Sequence, residues 1–392
     1  MFSGTGGVCM TRWGRWIDWW LGWRDRVLAS PVFQRRAASF ALTRPVARRQ
    51  AGDLFDLVAG FVYSQVLLAC VQLRLFDILA EGPQTEEYLA DRLAMPLEGA
   101  RRLLNASVAL RLVEPRGGGR YGLGTLGAPL VGNLAVAAMV QHHAALYADL
   151  ADPLALLRAS PEERQHNALA RYWAYDEANG ATSGPAAERV ATYSALMAAS
   201  LPLVADEILD AYDFARHHCL LDVGGGTGQF LGAVGERVPS LELRLFELPA
   251  VAERARSYLG ASGLASRVTV FSGSFLTDPL PRGADIISLV RVVHDHDDAQ
   301  AMALLRAVHA ALPDGGTLLL AEPMAQTPGA EAMGDAYFGV YLYAMGRGRP
   351  RGLLELTHML RTSGFEGVRP VKTRLPLQTQ ILIARRHRKN PV

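Results

Sequence analysis

From Cys219 onward, short runs of branched apolar residues recur with helical stretches between them, and this alternation leaves few folds open. The strand candidates are Cys219–Val223, Leu243–Leu248, Val268–Phe271, Asp285–Val290, Thr317–Ala321 and Gln380–Ala384. Strands alternating with helices predict a parallel, doubly wound α/β sheet, because each parallel pair needs a crossover to bring the chain back. The 392 residues are too many for one small domain, and with half of them apolar a sizeable core is expected. Three regions are expected: 1–50, 51–200 and 201–392.

Residues 53–200 read as mostly helical, with heptad-like Leu, Val and Phe from Leu54 to Leu79. A capped helix is predicted from Thr85, another from Pro96, then a hairpin tipped by Gly117-Gly-Gly. Helix, turn, helix and hairpin form a winged-helix pattern. Such a module reads DNA, here through Arg101 and Arg102, or it serves as a dimerisation and lid element; the pattern leaves both open.

The first 50 residues carry nine Arg against two Asp, so the remainder of this +2 chain is acidic and offers no chain-wide nucleic-acid footprint. Five of the six tryptophans lie in Trp13–Trp23. On a helix, Trp13, Trp16, Ile17, Trp20, Trp23, Val27 and Leu28 share one side, and Arg12, Arg15, Asp18, Asp25 and Arg26 the other. A basic, Trp-rich amphipathic helix over residues 10–29 suits a membrane interface, or a face of the protein itself. There is no uninterrupted apolar run of about 18 residues, so no spanning helix is expected. Cys9, Cys70 and Cys219 are too scattered for a disulfide framework or a zinc site, and a cytoplasmic protein follows.

Leu220-Leu-Asp-Val-Gly-Gly-Gly-Thr-Gly-Gln-Phe follows a buried strand and opens a helix, where backbone N–H groups meet ligands. A dinucleotide fingerprint would need glycine at 229, which is Gln229. Gly224, Gly226 and Gly228 instead give GxGxG behind Asp222, which suits S-adenosylmethionine, a ligand without a pyrophosphate. Glu247 ends the next strand and can accept both ribose hydroxyls. Gly273, Ser274 and Phe275 close the third strand, where an adenine ring fits. After the fourth strand comes Arg291-Val-Val-His-Asp-His-Asp-Asp. His294, Asp295, His296, Asp297 and Asp298 are metal-ligand types, but consecutive residues leaving a strand diverge. The preferred reading makes His294 a general base, with no metal, His296 a surface residue, and Asp297 and Asp298 the start of a helix. Glu322 ends the fifth strand at the same edge and can orient the imidazole.

These motifs, with Phe246-Glu-Leu-Pro-Ala-Val, Ala321-Glu-Pro-Met-Ala and Gly334-Asp-Ala-Tyr-Phe-Gly-Val-Tyr-Leu, occur in the order found in a known class. From about Asp53 to Arg385 the chain resembles the S-adenosylmethionine-dependent O-methyltransferases that include plant caffeate and flavonoid enzymes and hydroxyindole O-methyltransferase. Within them it looks like the bacterial enzymes of the demethylspheroidene (hydroxyneurosporene) type, which methylate hydroxylated acyclic carotenoids. The resemblance implies a Rossmann-like C-terminal catalytic domain and a winged N-terminal region used for homodimerisation and the substrate lid, with no nucleic-acid partner. It implies that His294 is the catalytic base and Glu322 its assistant, and that S-adenosylhomocysteine is the product. It places Arg291 at the cofactor carboxylate and Met197 beside the substrate. Three departures stand out. Glu247 replaces the usual Asp, Ser274 stands where many members carry an acid, and a second catalytic carboxylate, expected near Pro350, is absent.

Met333-Gly-Asp-Ala-Tyr-Phe-Gly-Val-Tyr-Leu-Tyr-Ala-Met is rich in aromatics and methionine, as a pocket for a long polyene needs, so Tyr337, Phe338 and Tyr341 are substrate candidates. His142 and His143 are expected to be satisfied or exposed histidines. A small aromatic or polyketide phenol is the competing acceptor, and a cofactor-sensing winged-helix regulator the competing class.

Overall fold

The computed structural model describes residues 12–173, 198, 200–377 and 379–387. The chain forms two compact units, Met1–Ala128 and Pro129–Val392.

The first unit opens with helices α1 (Arg12–Ala29), α2 (Pro31–Ser39), α3 (Arg44–Gln72) and α4 (Leu75–Ala80). Ser30 caps α2 by accepting from the Phe33 N–H, and Pro31 begins it, where a missing N–H costs nothing. Strand β1 (Gln84–Thr85) leads into α5 (Glu86–Arg92), capped by Thr85, and then α6 (Leu97–Ala109). Strands β2 (Val113–Arg116) and β3 (Arg120–Leu123) form the wing, and the antiparallel order is β1-β3-β2. Gly118 and Gly119 both take positive φ at its tip, which L side chains resist.

By length and composition helix α3 is apolar enough to cross a membrane, although Asp53 and Asp56 break the run in the sequence. Only Cys70 and Val71 are buried along it, while Leu54, Phe55, Leu57, Val58 and Phe61 are exposed. Arg101, a candidate for reading DNA, pairs with Glu86 at 2.8 Å, and Arg102 lies 3.5 Å from Glu98.

In the second unit, α7 (Leu134–Asp149), α8 (Pro153–Arg158), α9 (Pro161–Arg164) and helix α10 (200–211) precede the sheet. Its strands are β4 (Cys219–Val223), β5 (Glu242–Glu247), β6 (Val268–Ser272), β7 (Ile286–Val290), β8 (Thr317–Glu322), β9 (Phe365–Val371) and β10 (Gln380–Arg386). Helices α11 (Gln229–Arg237), α12 (Pro249–Ala261) and α13 (Asp298–Ala311) connect the parallel strands. A π-helix over Ala332–Phe338 runs into α14 (Gly339–Ala344), and α15 (Leu353–Thr362) comes before β9.

The order is β6-β5-β4-β7-β8-β10-β9, parallel except that β10 runs antiparallel to both its neighbours. All of β4, β7 and β8 is buried, and alternate residues enter opposite cores: Leu221 and Val223 on one face, Leu220 on the other. Chain direction across the sheet reverses at β4, so its carboxyl end opens a crevice between the flanking crossovers. The six expected strands are present with ends shifted by a residue or two; Leu248 and Asp285 fall outside. β9 was not expected. It is an edge strand, largely solvent-facing and containing Gly367 and Pro370, so it lacks the apolar run that marks a central strand.

Candidate active site

The crevice begins at the loop after β4. Gly224 and Gly226 take φ of 69° and 59°, and Gly224 donates to the Phe246 carbonyl, tying the loop to β5. A Cβ on Gly225 would stand 2.1 Å from Asp222 Oδ2, so no side chain fits there without displacing that carboxylate. Gly228 plays a different part from its neighbours: it begins α11 at φ 88°, and a Cβ would press on Leu259 of α12 at 2.9 Å. Its smallness serves helix packing.

Asp222 is fully buried. Its Oδ1 accepts from Ser288 Oγ at 2.6 Å, and Oδ2 has no partner. Burial, only partly offset by Ser288 and reinforced by Glu247, pushes its pKa up to about 7. At the end of β5, Glu247 Oε1 accepts from the Leu248 N–H at 2.7 Å and Oε2 from the Gly226 N–H at 2.9 Å. Burial outweighs these two donors and raises its pKa to about 7. Each oxygen keeps a second lone pair, so the carboxylate that shapes the glycine loop can still receive two hydroxyls.

Gly273, Ser274 and Phe275 line the same cleft past β6. The Ser274 N–H is held by Asp278 at 2.8 Å, and the Phe275 ring meets His296 edge-on at 5.0 Å. His296 was expected at the surface; it lies half-buried in the cleft wall instead, because the turn after β7 folds back towards Phe275. Arg291 occupies left-handed backbone, φ 57°, and its guanidinium donates to Ser200 Oγ at 2.7 Å across the cleft. A strained non-glycine residue of this kind persists where its side chain must be aimed. The glycine loop, the paired acids and Arg291 fit a ligand with a diol, an ammonium and a carboxylate, and S-adenosylmethionine has all three.

His294 sits in a single 3₁₀ turn (Val293–Asp295), 4% exposed. Its main-chain N–H donates to Glu322 Oε2 at 3.1 Å, and the same oxygen is 3.4 Å from ring Nδ1. Nε2 lies 3.2 Å from Asp295 Oδ1. His294 itself does not line the glycine cleft, whereas Asp295, the partner of its Nε2, does. Burial alone would lower the imidazole pKa; the two carboxylates outweigh it and push it up to about 9. The two carboxylates thus favour the imidazolium, whereas a general base needs the neutral ring. The role of Asp295 was missed because adjacency in sequence does not reveal that the turn folds its carboxylate back onto the neighbouring ring.

Beyond His294 stands the aromatic segment. The Phe338 ring is 6.3 Å from the imidazole, Tyr337 is edge-on to Phe338 at 5.0 Å, and Tyr341 stacks on Tyr337 at 5.8 Å. The Tyr341 hydroxyl is paired with His142 Nε2 at 2.9 Å and that of Tyr337 with His143 Nε2 at 2.7 Å, so both histidines are satisfied. Burial, helped by His143, lowers His142 to about pKa 4; burial also lowers His143 and raises Tyr337 to about 12. Burial thus favours the uncharged form of each. Tyr337 and Phe338 are consecutive residues at the end of the π-helix. Met197 lies outside the described residues.

Comparison with known proteins places the chain in a family. Residues 147–366 match the O-methyltransferase domain, and residues 55–133, which include the exposed apolar stretch of α3, match the O-methyltransferase dimerisation domain. The chain is 44% identical to demethylspheroidene O-methyltransferase of Cereibacter sphaeroides over 88% of its length and 89% of the relative's. It is 32% identical to acetylserotonin O-methyltransferase of Mus musculus, covering 85% and 89%. Among solved structures it is similar to the S-adenosylmethionine-dependent methyltransferase SibL (26% identity, TM-score 0.70, 86% and 99% covered). It shares the fold of human N-acetylserotonin methyltransferase in complex with S-adenosylmethionine (23%, TM-score 0.69, 86% and 98% covered). With the O-methyltransferase domain and its dimerisation domain both matched, the chain belongs to the S-adenosylmethionine-dependent O-methyltransferases.

Proposed function

We propose that this homodimeric O-methyltransferase methylates the hydroxyl of a hydroxylated acyclic carotenoid of the demethylspheroidene type, with His294 as general base. The observation that carries the reading is the neutral aromatic wall of Tyr337, Phe338 and Tyr341 directly beside His294. It offers apolar area to a long polyene and no charge to a polar acceptor. The names of two relatives, both demethylspheroidene O-methyltransferases, support the same acceptor.

S-adenosylmethionine supplies an electrophilic methyl group when bound. The chain's own work is alignment and proton removal. Glu247 holds the ribose diol, the 224–226 loop and Asp222 take the amino-acid end with Arg291, and Phe275 bounds the adenine side. The acceptor hydroxyl reaches His294 Nε2 in place of, or alongside, Asp295. With the cofactor bound, its methyl carbon would pass to the acceptor oxygen as the carbon–sulfur bond breaks with its electron pair going to sulfur, and the neutral imidazole of His294 would take the hydroxyl proton. Glu322 and Asp295 then stabilise the imidazolium. A tertiary alcohol is far less acidic than a phenol, so positioning contributes more of the acceleration than base strength. The mechanism calls for no metal.

The enzyme is cytoplasmic in this reading and rests on a membrane surface through α1. Trp16, Trp19, Trp20 and Trp23 are all exposed there, next to Arg15 and Arg26. A polyene dissolved in the bilayer then has a short path to the enzyme.

Turnover with labelled cofactor, fed hydroxylated acyclic carotenoids in detergent or vesicles and small phenols in parallel, tests the acceptor. Carotenoid methylation is expected. Turnover of phenols alone would assign the pocket to small aromatic acceptors, as the names of the acetylserotonin relatives suggest for those proteins.

A further inference from the structure

Arg351 has the largest fully buried side chain in the described residues, and nothing in the cofactor cleft or the aromatic wall accounts for it. A buried guanidinium is costly unless its donors are met. Here they are met by one short piece of chain. Nη1 donates to the Val293 carbonyl at 2.8 Å, Nη2 to the His296 carbonyl at 2.7 Å, and Nε and Nη2 to Asp298 Oδ1 at 3.1 and 2.8 Å. The two carbonyls bracket His294 in sequence, so the guanidinium fork grips both ends of the turn that carries the imidazole.

The rest of the segment tightens the same grip. The Arg349 N–H donates to the His294 carbonyl at 2.9 Å, and the Gly348 N–H donates to Asp297 at 3.1 Å. A Cβ on Gly348 would stand 2.3 Å from the His294 carbonyl oxygen. On its other side the Arg351 carbonyl accepts from the Ala325 N–H at 3.1 Å, three residues beyond Glu322. One residue is thus bonded to the turn bearing His294 and to the chain leaving the strand that bears Glu322.

We propose that Arg351 is the positioning residue that fixes His294 against Glu322, doing through the backbone what a second carboxylate near Pro350 would otherwise do through the ring. The inference rests on the reading of His294 as base. Lysine in its place keeps the charge and most of the stem, but its ammonium is a point donor without the planar fork. The turn then shifts, and the imidazole leaves the two carboxylates that face it, Asp295 from its own turn and Glu322 from β8.

The test compares wild type, Arg351→Lys, Asp298→Asn and His294→Gln in kcat, acceptor KM, S-adenosylhomocysteine affinity, melting and the pH dependence of kcat/KM. Arg351→Lys is expected to lower kcat by about 10²-fold, the cost of a misplacement near 1 Å, with cofactor affinity within about two-fold. The acidic limb of its pH profile moves down towards the ordinary imidazole range. If it fails to fold, Asp298→Asn, which alters an exposed partner of Arg351, decides: a several-fold loss with a shift of the same sign supports the proposal. A folded variant whose losses follow only its folded fraction, with the wild-type acidic limb, overturns it. If the limb survives in His294→Gln, the base reading falls; if it vanishes there but stays fixed in the folded Arg351 and Asp298 variants, only the role of Arg351 falls.

Discussion

Glu322 faces His294 twice through one oxygen, taking the main-chain N–H at 3.1 Å and standing 3.4 Å from ring Nδ1. The carboxylate therefore fixes the turn as well as the ring, and with Asp295 on Nε2 it holds the imidazole pKa near 9 against the opposing effect of burial. A raised pKa means that the folded state keeps the proton longer. The stability this contributes is complete below the ordinary imidazole value and is lost as pH rises through about 9. The reacting form, however, is the neutral ring. We expect kcat/KM to climb about tenfold per pH unit through neutrality and to level off near pH 9, and Glu322→Gln to move that limb to lower pH. A flat profile from pH 6 to 9, free of a change in rate-limiting step, contradicts the assignment.

Removal of the base separates chemistry from binding. His294→Ala should reduce turnover by about 10²–10⁴-fold and leave S-adenosylhomocysteine affinity within a few-fold. Calorimetry beside single-turnover kinetics measures both, and a parallel loss would transfer His294 to cofactor binding.

In the proposed mode of binding, Glu247 gives cofactor affinity its own pH dependence. Its pKa near 7 comes from burial, and only the ionised carboxylate accepts two ribose hydroxyls at full strength. Affinity for S-adenosylhomocysteine should rise with pH from 6 to 8, and Glu247→Gln should bind more weakly and flatten the curve. Titration by isothermal calorimetry at several pH values checks this.

Gly225 is a steric test of the cleft. The Cβ of Gly225→Ala lands on Asp222 Oδ2 and on Leu245, and the carboxylate has little room to retreat in a closed core. We expect a destabilisation of about 1–3 kcal/mol and a loss of cofactor affinity larger than that caused by Gly226→Ala, whose Cβ meets nothing within 4 Å. Gly226 still bears positive φ, so its variant is not neutral, and the order of the two losses is the readout.

The aromatic wall and the N-terminal helix make the last pair of expectations. Phe338→Ala should raise acceptor KM by at least tenfold with cofactor affinity unchanged, since its ring contacts His294 and not the glycine cleft. Deletion of residues 1–50 should reduce sedimentation with anionic liposomes, and unchanged sedimentation would remove α1 from any membrane role.

What sequence alone determined was the sheet and the cofactor edge. Central strands buried on both faces must be apolar runs, so β4, β7 and β8 announced themselves, and the residues at their carboxyl ends, Asp222, Arg291, His294 and Glu322, had to gather at one rim. Period and motif carry that information locally. The edge strand β9 carried no such signal, because solvent on both its faces removes the apolar pattern. Tertiary structure alone decided the posture of His294, the proposed base: Asp295 turned back onto Nε2, Glu322 reached across from the neighbouring strand, and Arg351, 57 residues further along the chain than His294, bonded the turn between them. A charge's pKa and a side chain's aim depend on what stands within a few ångströms, and closeness of that kind between distant residues exists only once the chain has folded.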